Sequence, residues 1–227
     1  MRYPFPGMGQ IEPDWISRLP GRFVVFDGPD GSGKSTQFRR FCTYLNGHGI
    51  DPCQVREPGG STIGEQIRKI LLDPANVEMD VRCEMLLYMA SRAQLVATRI
   101  RPALQRGQFV IADRFISSTV AYQGTAGGVP VEEILAVGHA AVAGLVPDLV
   151  VIFDVDQEVA GTRLNPLLDR IESRGANYHR VVRGGFLDQA KAAPDRYAVI
   201  DASPPPDVVF QRLLACVSER FGGGGGR

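Results

Sequence analysis

The sequence is organised around residues 22–35, RFVVFDGPDGSGKS. Its first six residues form an apolar run that predicts a buried β-strand, and residues 34–46 predict an amphipathic helix. Between them the chain fits the pattern G-x-x-x-x-G-K-[ST]. In such a loop, glycines let backbone N–H groups surround phosphate oxygens, while the lysine reaches the outer phosphates and the serine hydroxyl can ligate Mg²⁺. The stretch therefore predicts a phosphate-binding loop rather than an ordinary glycine-rich turn.

Short apolar runs alternate with helix-length amphipathic stretches along the rest of the chain. Most of the runs are continuous, as in strands that are buried on both faces. The alternation predicts an α/β domain of three layers, a P-loop NTPase-type fold in which a five-stranded parallel sheet is flanked by helices. The strands are predicted at residues 22–27, 52–56, 109–112, 149–154 and 197–201. The helices are predicted at residues 34–46, 62–72, 81–105, 131–145, 157–164, 176–192 and 206–220.

The length of 227 residues suits one large domain. We expect an irregular N-terminal arm over residues 1–20, a single domain over 21–220 and a flexible glycine-rich tail over 221–227. No stretch has the apolar length of a membrane span or of a signal peptide, so a cytoplasmic protein is expected. The four cysteines have no metal-ligand spacing and are expected to be buried thiols in a reducing compartment.

The charges balance, because 25 Lys and Arg face 25 Asp and Glu. A net charge of zero gives no global field for binding nucleic acid or an anionic membrane, so neither is expected as a partner. Only three of the 25 cations are lysines. Arginine suits phosphate recognition, but a GC-rich genome also favours it, so the excess alone does not indicate a site.

A phosphate-binding loop of this kind indicates a nucleoside triphosphate, and other sequence features narrow the range of reactions in which the protein would use it. The guanine-specific N-K-x-D element is missing, which weakens the case for a GTPase. Asp113-Arg114 follows the third predicted strand, where many ATPases have an Asp-Glu pair that polarises water. A cation at this position suits a phosphorylated second substrate better than water. These features favour phosphoryl transfer to a small acceptor.

Five segments in the same order resemble the thymidylate kinase family. They are FDGPDGSGKST (26–36), REPGGS (56–61), EMLLYMASRAQ (84–94), DRFISSTVAYQG (113–124) and LDRIE (168–172). The resemblance covers residues 22–220 and implies transfer of a phosphoryl group from ATP to dTMP, giving dTDP and ADP, with Mg²⁺ and in a homodimer. A kinase for another nucleoside monophosphate remains an alternative. So does a non-catalytic nucleotide-binding module, because Leu95 and Asn165 depart from the family pattern.

The resemblance also implies the site. Tyr88 and Arg92 share a helix face, where they would stack on the base and read its edge, and Arg114 would bind the acceptor phosphate. ATP binding is expected of Gly28, Pro29, Asp30, Gly31, Ser32, Gly33, Lys34, Ser35 and Thr36. Contacts to dTMP are expected of Asp30, Glu57, Pro58, Tyr88, Arg92, Arg114, Ser118, Thr119, Tyr122 and Gln123. Catalytic roles are expected of Asp30, Lys34, Arg114, Arg163 and Arg170, and metal binding of Ser35 and Asp113.

An arginine-rich segment, residues 163–183, lies within an expected lid at about residues 160–184. It is either a solvated helix face or a lid that closes over ATP and supplies a cation. By resemblance, Gly31 in the phosphate loop indicates that the lid supplies the catalytic arginine. Because Asn165 and Pro166 replace the usual lid residues, the candidates are Arg163 and Arg170.

Overall fold

A computed structural model describes residues 14–163 and 170–223 of the chain. Five parallel strands form one sheet in the order β2-β3-β1-β4-β5, which confirms the predicted sheet. The strands are β1 (Phe23–Asp27), β2 (Cys53–Arg56), β3 (Val110–Asp113), β4 (Leu149–Asp154) and β5 (Tyr197–Asp201). Each lies within one residue of its predicted bounds. The three central strands, β1, β3 and β4, are buried along most of their length, as their apolar runs predict.

Helices cover both faces of the sheet. They are α1 (Lys34–Gly47), α2 (Thr62–Leu72), α3 (Val81–Leu95), α4 (Arg101–Gln105), α5 (Ile116–Thr119), α6 (Val131–Val142), α7 (Gln157–Gly161), α8 (Ala176–Ala192) and α9 (Pro206–Phe221). None of the helices in the described part of the chain is long and apolar enough to cross a membrane.

Alternate side chains of β1 enter two different cores. Val24 and Phe26 pack with α1 and α9 on one face of the sheet. Phe23 and Val25 lie on the other face, in a core that includes Phe186 of α8. The central strand is therefore buried on both faces, as its continuous apolar sequence predicts.

Part of the irregular arm expected over residues 1–20 packs into the core. Residues 1–13 lie outside the described residues, whereas Ile16–Arg18 form a 3₁₀ turn. Trp15, Ile16 and Leu19 are buried in the core beside α1, and the Trp15 ring stacks on Phe41 at 6.4 Å. Burial of these large apolar side chains gains more free energy than the ordering of the turn costs.

The predicted helix at residues 81–105 contains an irregular turn. A π-helical segment, Val96–Ile100, separates α3 from α4. Pro102 follows it and cannot donate a backbone hydrogen bond, which favours the wider hydrogen-bond spacing of a π-helix just before it.

The helix predicted at 131–145 ends at Val142, because Ala143 adopts a left-handed backbone. Residues 116–125, which we did not predict as helical throughout, are helical with a π turn at Val120–Thr125.

The register of the sheet brings the ends of its strands together. Phe26 lies opposite Asp113, which also lies opposite Arg56 of β2. Asp27 lies opposite Ile152 of β4. Loops that leave these carboxyl ends therefore meet at one edge of the sheet, where α/β proteins bind their ligands.

Candidate active site

The phosphate loop leaves β1 and leads directly into α1. Gly28 packs so closely on β4 that a Cβ there would lie 2.5 Å from the Phe153 carbonyl oxygen. Gly33 has a φ of 77° and caps α1, so the amino end of that helix faces the loop, an arrangement that favours anions. The buried Lys34 ammonium pairs with the Asp113 carboxylate at the end of β3.

Asp113 also lies near the second residue of α1. The Ser35 hydroxyl donates to Asp113 Oδ2 at 3.4 Å, on the opposite carboxylate oxygen from Lys34. Burial alone would raise the pKa of Asp113, but Lys34 and Arg114 outweigh burial and lower it. The Asp113 carboxylate is therefore ionised. Its hydrogen bond with Ser35 places the two predicted metal ligands side by side.

Arg114 forms the centre of the site. Its backbone has a φ of 72°, which a residue other than glycine rarely adopts. One guanidinium nitrogen donates to Gly28 O (3.0 Å), Ser118 Oγ (2.9 Å) and Asp27 Oδ1 (3.2 Å), and the other donates to Asp30. These bonds hold the strained backbone and aim the side chain across the strand ends toward the phosphate loop.

Asp27 is a site residue that the sequence analysis did not select. Its carboxylate is fully buried and accepts hydrogen bonds from Ser117 Oγ and Ser118 Oγ, both at 2.7 Å. It also accepts from the Gly28 N–H at 2.9 Å. The signal was present in the sequence, because an acidic residue ends an otherwise apolar strand directly before the loop. Asp27 fixes both Arg114 and the start of the loop.

Asp30 joins the phosphate loop to the helical segment after β3. Its Oδ2 accepts a hydrogen bond from the Tyr122 hydroxyl at 2.7 Å, while Oδ1 pairs with Arg114. Burial would raise the pKa of Asp30, but Arg114, Tyr122 and Lys34 together lower it. Burial raises the pKa of Tyr122 well above its usual value. The pair is therefore a carboxylate that accepts from a neutral phenol.

A cleft of about 500 Å³ opens beside these groups, between the loop and α3. It brings together all of the predicted acceptor residues except Arg92. The predicted residues that line it are Asp30, Glu57, Pro58, Tyr88, Arg114, Ser118, Thr119, Tyr122 and Gln123.

Arg92 lies behind the wall of the cleft. Its guanidinium is 1% exposed and donates to Glu57 Oε2 (2.6 Å), the Phe115 carbonyl oxygen (2.9 Å) and Thr119 Oγ1 (3.2 Å). The structure therefore places Arg92 against two residues of the predicted acceptor site, Glu57 and Thr119, and not in the cleft itself. Spacing could not show this, because a shared helix face does not reveal how deep each side chain lies.

Glu57 is a buried acid at the wall of the cleft. Burial raises its pKa to about 7, Arg92 opposes that effect, and the nearby Asp27 adds to it. Its Oε1 has no hydrogen-bond partner among the described residues. Burial and the ion pair thus act against each other at this carboxyl group.

Two cations of the cleft were not among the predicted site residues. Arg56, the last residue of β2, is bonded to Glu65 at 2.9 Å. Arg68 of α2 donates to the Pro58 carbonyl oxygen at 3.0 Å. Arg56 could have been selected, since it begins the REP segment. Arg68 carries no sequence signal, because only the packing of α2 brings it to this edge.

A second space, of about 260 Å³, lies over the phosphate loop and shares Asp30, Lys34, Ser35, Arg114 and Glu172 with the cleft. Arg163 lines it, and its guanidinium donates to the carbonyl oxygens of Ala202 and Ser203 at 2.9 Å. A third space, of about 360 Å³, continues past Arg163 toward α9. It is bordered by residues after β5 that the sequence analysis missed: Ala202, Pro204 and Pro206.

The structure places the two candidate lid arginines apart. Arg170 is buried on the acceptor side, where its Nε donates to the Leu71 carbonyl oxygen at 2.8 Å. Arg163 is the one that borders the phosphate loop. Asn165 and Pro166 lie outside the described residues. Leu95 is fully buried in the core and lines none of these three spaces.

Comparison with known proteins identifies the family. A sequence model described as Thymidylate kinase matches residues 26–213. A thymidylate kinase of Symbiobacterium thermophilum is 45% identical over 210 residues, which are 90% of this chain and 98% of that protein. The chain belongs to the thymidylate kinase family. Thymidylate kinases of Exiguobacterium sp. (44% identical, 91% of this chain, 99% of the relative) and Deinococcus radiodurans (42%, 88% and 98%) are similar over comparable lengths.

Membership of the thymidylate kinase family confirms the resemblance, the P-loop α/β fold and the expectation of a kinase. The matched region contains every described strand except the first three residues of β1. It also contains both walls of the cleft. The site described above therefore lies within the part of the chain that carries the family likeness.

Proposed function

We propose that this protein transfers the γ-phosphoryl group of ATP to dTMP, giving dTDP and ADP. The observation that carries the proposal is that the loop space and the cleft share five lining residues, among them the charged and hydroxyl groups of Asp30, Lys34, Ser35 and Arg114. A nucleoside triphosphate held by the loop and a monophosphate held in the cleft would bring their phosphates together there. The names of the relatives support thymidylate as the acceptor.

In this reaction an oxygen of the dTMP phosphate attacks the γ-phosphorus of ATP. The bond from that phosphorus to the β–γ bridging oxygen breaks, and ADP leaves with the electron pair. Such transfer needs little covalent help, so the chain acts by positioning and by charge neutralisation. Lys34 and Arg114 are the cations placed to bind the oxygens, and Asp30 orients Arg114 through their ion pair.

A divalent cation fits the donors near the loop, and we propose Mg²⁺. The Ser35 hydroxyl and the Asp113 carboxylate are hard oxygen ligands next to each other, and Mg²⁺ is usually bound by one or two such groups together with phosphates and water. When bound, the ion neutralises phosphate charge. Removal of divalent ions with a chelator is expected to abolish turnover, and added Mg²⁺ to restore it.

The lining of the cleft supports a pyrimidine acceptor. Tyr88 contributes an aromatic ring to the lining, and Thr119 and Gln123 contribute polar groups. Tyr122, whose hydroxyl is held by Asp30, would lie beside the sugar and favour a deoxyribose. Arg92 supports this wall through Thr119 and Glu57.

Arg163 is our candidate for the lid cation, because it borders the phosphate loop whereas Arg170 is bonded to Leu71. Arg163→Ala is expected to lower kcat/KM for ATP at least tenfold. Arg180→Ala is the matched control, since Arg180 is exposed and its guanidinium is bonded to Asn177 in its own helix. Equal kinetics for the two variants would remove Arg163 from the mechanism.

Steady-state rates with a panel of acceptors test the proposal. With ATP and Mg²⁺, we expect diphosphate formation from dTMP to exceed that from dUMP, dCMP, dGMP and UMP. A purine preference would instead indicate a kinase for another monophosphate. Tight binding of ATP and dTMP without ADP formation would indicate a nucleotide-binding module.

We also propose a homodimer that covers an apolar surface on α2, α3 and α6. These helices pack side by side. Their half-exposed apolar side chains include Ile63, Ile70, Leu86 and Leu135. Light scattering is expected to give twice the chain mass for the wild type and for Val208→Glu, whose site lies on α9. Leu135→Glu should give the mass of one chain, and a monomeric wild type would contradict the proposal.

The cytoplasmic location stays a prediction.

A further inference from the structure

Glu84 of α3 is a buried carboxylate that the mechanism above does not use. It is 0% exposed. Its Oε1 accepts a hydrogen bond from Gln123 Nε2 at 2.6 Å, and its Oε2 accepts one from Arg174. The Arg170 NH2 group lies 2.6 Å from the same Oε2 as an ion pair, without the alignment of a hydrogen bond. One carboxylate therefore joins a residue of the acceptor cleft to two arginines of the lid region.

The lid side of this cluster is bonded to the cleft a second time. Arg174 NH1 donates to the Tyr178 hydroxyl at 2.9 Å, and its guanidinium lies 5.0 Å from the centre of that ring. The Tyr178 hydroxyl in turn donates to the Tyr122 carbonyl oxygen at 2.9 Å. Arg174 thus contacts the segment that carries Tyr122 and Gln123 through both Tyr178 and Glu84.

The charge of Glu84 fixes the orientation of the Gln123 amide. An ionised carboxylate only accepts hydrogen bonds, so it must receive the NH₂ group of Gln123 and not the oxygen. Both arginines form ion pairs with Glu84 at this fully buried position. The Gln123 amide oxygen is therefore the group that remains to accept a hydrogen bond from the base of the acceptor nucleotide.

An amide oxygen in this place distinguishes pyrimidines. Thymine and uracil carry a hydrogen-bond donor at N3, whereas cytosine carries a lone pair there. Leaving a buried acceptor facing a lone pair costs more than a lost contact, because both groups are desolvated.

We propose that Glu84 is a positioning residue of the acceptor site. It orients the Gln123 amide so that the cleft selects a base with an N3–H, and it anchors Arg170 and Arg174 so that the lid region supports that orientation. The inference rests on the proposed binding of dTMP in the cleft. Beyond that function, the inference assigns the choice of base to Glu84. It also connects the choice to the lid region through the ion pairs of Glu84 with Arg170 and Arg174.

A purely stabilising role predicts a different outcome. A buried ion pair often gives no net stability over apolar residues of similar size, so stability alone does not account for three polar partners around one buried acid. A stabilising group would change the melting temperature and leave the ratio of acceptors unchanged. A positioning group changes the ratio.

The test is Glu84→Gln, which keeps the size of the side chain and removes its charge. A glutamine here can donate or accept, so it no longer forces one orientation on Gln123. We expect kcat/KM for dTMP relative to dCMP to fall about tenfold, with KM for dTMP raised and KM for ATP changed less than twofold. Glu133→Gln is the matched control, because Glu133 pairs with Arg82 on the surface. It should keep the wild-type ratio.

Gln123→Met provides an independent variant in case Glu84→Gln does not fold. It should lower the same ratio about tenfold, and adding Arg174→Met to it should lower the ratio no further, since both act through one amide. An unchanged ratio in folded Glu84→Gln or in Gln123→Met, or additive losses in the double variant, would overturn the inference. In each case dTMP turnover by the wild type leaves the proposed function standing. Absence of that turnover would overturn both.

Discussion

The Tyr122 hydroxyl donates to the Asp30 carboxylate across 2.7 Å, although the two residues are 92 positions apart in the chain. One belongs to the phosphate loop and the other to the helical segment that lines the acceptor cleft. The bond therefore joins the part of the site that would hold ATP to the part that would hold the acceptor sugar.

Tyr122→Phe removes this bond and keeps the ring. Asp30 would lose one of the groups that lower its pKa. It would keep its ion pair with Arg114 but not its hydrogen bond with the Tyr122 hydroxyl. We expect kcat/KM for dTMP to fall about tenfold, roughly 1.4 kcal/mol, and the preference for dUMP over UMP to weaken. Steady-state kinetics with the three acceptors measure both effects. Wild-type values for both would show that the hydroxyl contributes nothing to the site.

Lys34→Ala and Arg114→Ala test the cations at the junction of the two spaces. Each is expected to lower kcat/KM by about two orders of magnitude or more, roughly 3 kcal/mol of transition-state stabilisation. Lys191→Ala, at an exposed position in the last turn of α8, is the control and should keep the wild-type rate.

Arg114→Ala also leaves the buried carboxylate of Asp27 with one cation fewer. Arg114→Lys, which restores the charge without the fork of donors, should therefore fold better than Arg114→Ala and still turn over slowly. Turnover near the wild-type rate in Lys34→Ala or Arg114→Ala would remove that residue from the mechanism.

Gly31→Ala tests whether α7 packs on the phosphate loop. Gly31 has a φ of 76°, and a Cβ there would lie 2.5 Å from the Ala160 carbonyl oxygen. We expect a loss of about 1–3 kcal/mol in the free energy of unfolding and a raised KM for ATP. The same close approach leaves no room for an arginine at position 31, which agrees with a lid-supplied cation.

Gly184→Ala is the matched control for Gly31→Ala. Gly184 lies inside α8, and a Cβ there would meet no atom within 4 Å. That substitution should be neutral or stabilise the protein by about 0.5–1 kcal/mol, since alanine favours a helix interior. Unfolding at the same denaturant midpoint in Gly31→Ala and the wild type would contradict the close packing of α7.

Glu57 gives the stability of the protein a pH dependence. Its pKa is raised from 4.5 to about 7 in the folded chain, mainly by burial. The contribution of Glu57 to stability is therefore fully present below pH 4.5 and is lost as the pH rises through about 7, a total of about 3 kcal/mol.

Glu57→Gln removes this titration. Denaturant unfolding from pH 4.5 to 8 is expected to show the wild type losing stability relative to Glu57→Gln as the pH rises. A difference between the two proteins that stays constant over this range would show that the Arg92 ion pair keeps Glu57 ionised throughout.

The strands, most of the helices and the phosphate loop could be predicted because each depends on neighbours in sequence. The run RFVVFD is apolar enough to be buried on both faces, and the glycine pattern after it permits the loop. The bounds of α3 and α6 were less predictable. They depend on the effect of Pro102 on the preceding turn and on the left-handed backbone of Ala143.

The loop motif and the helical spacing of Tyr88 and Arg92 were local signals, and they were enough to indicate a nucleotide site and the residues near it. The depth of Arg92, the bond between Asp30 and Tyr122, and the convergence of Gln123 and Arg174 on Glu84 depend on which loops the parallel register brings to one edge of the sheet. Hydrogen bonds act over about 3 Å. Partners dozens of residues apart are therefore fixed by the packing of helices on the sheet, which local sequence patterns do not encode.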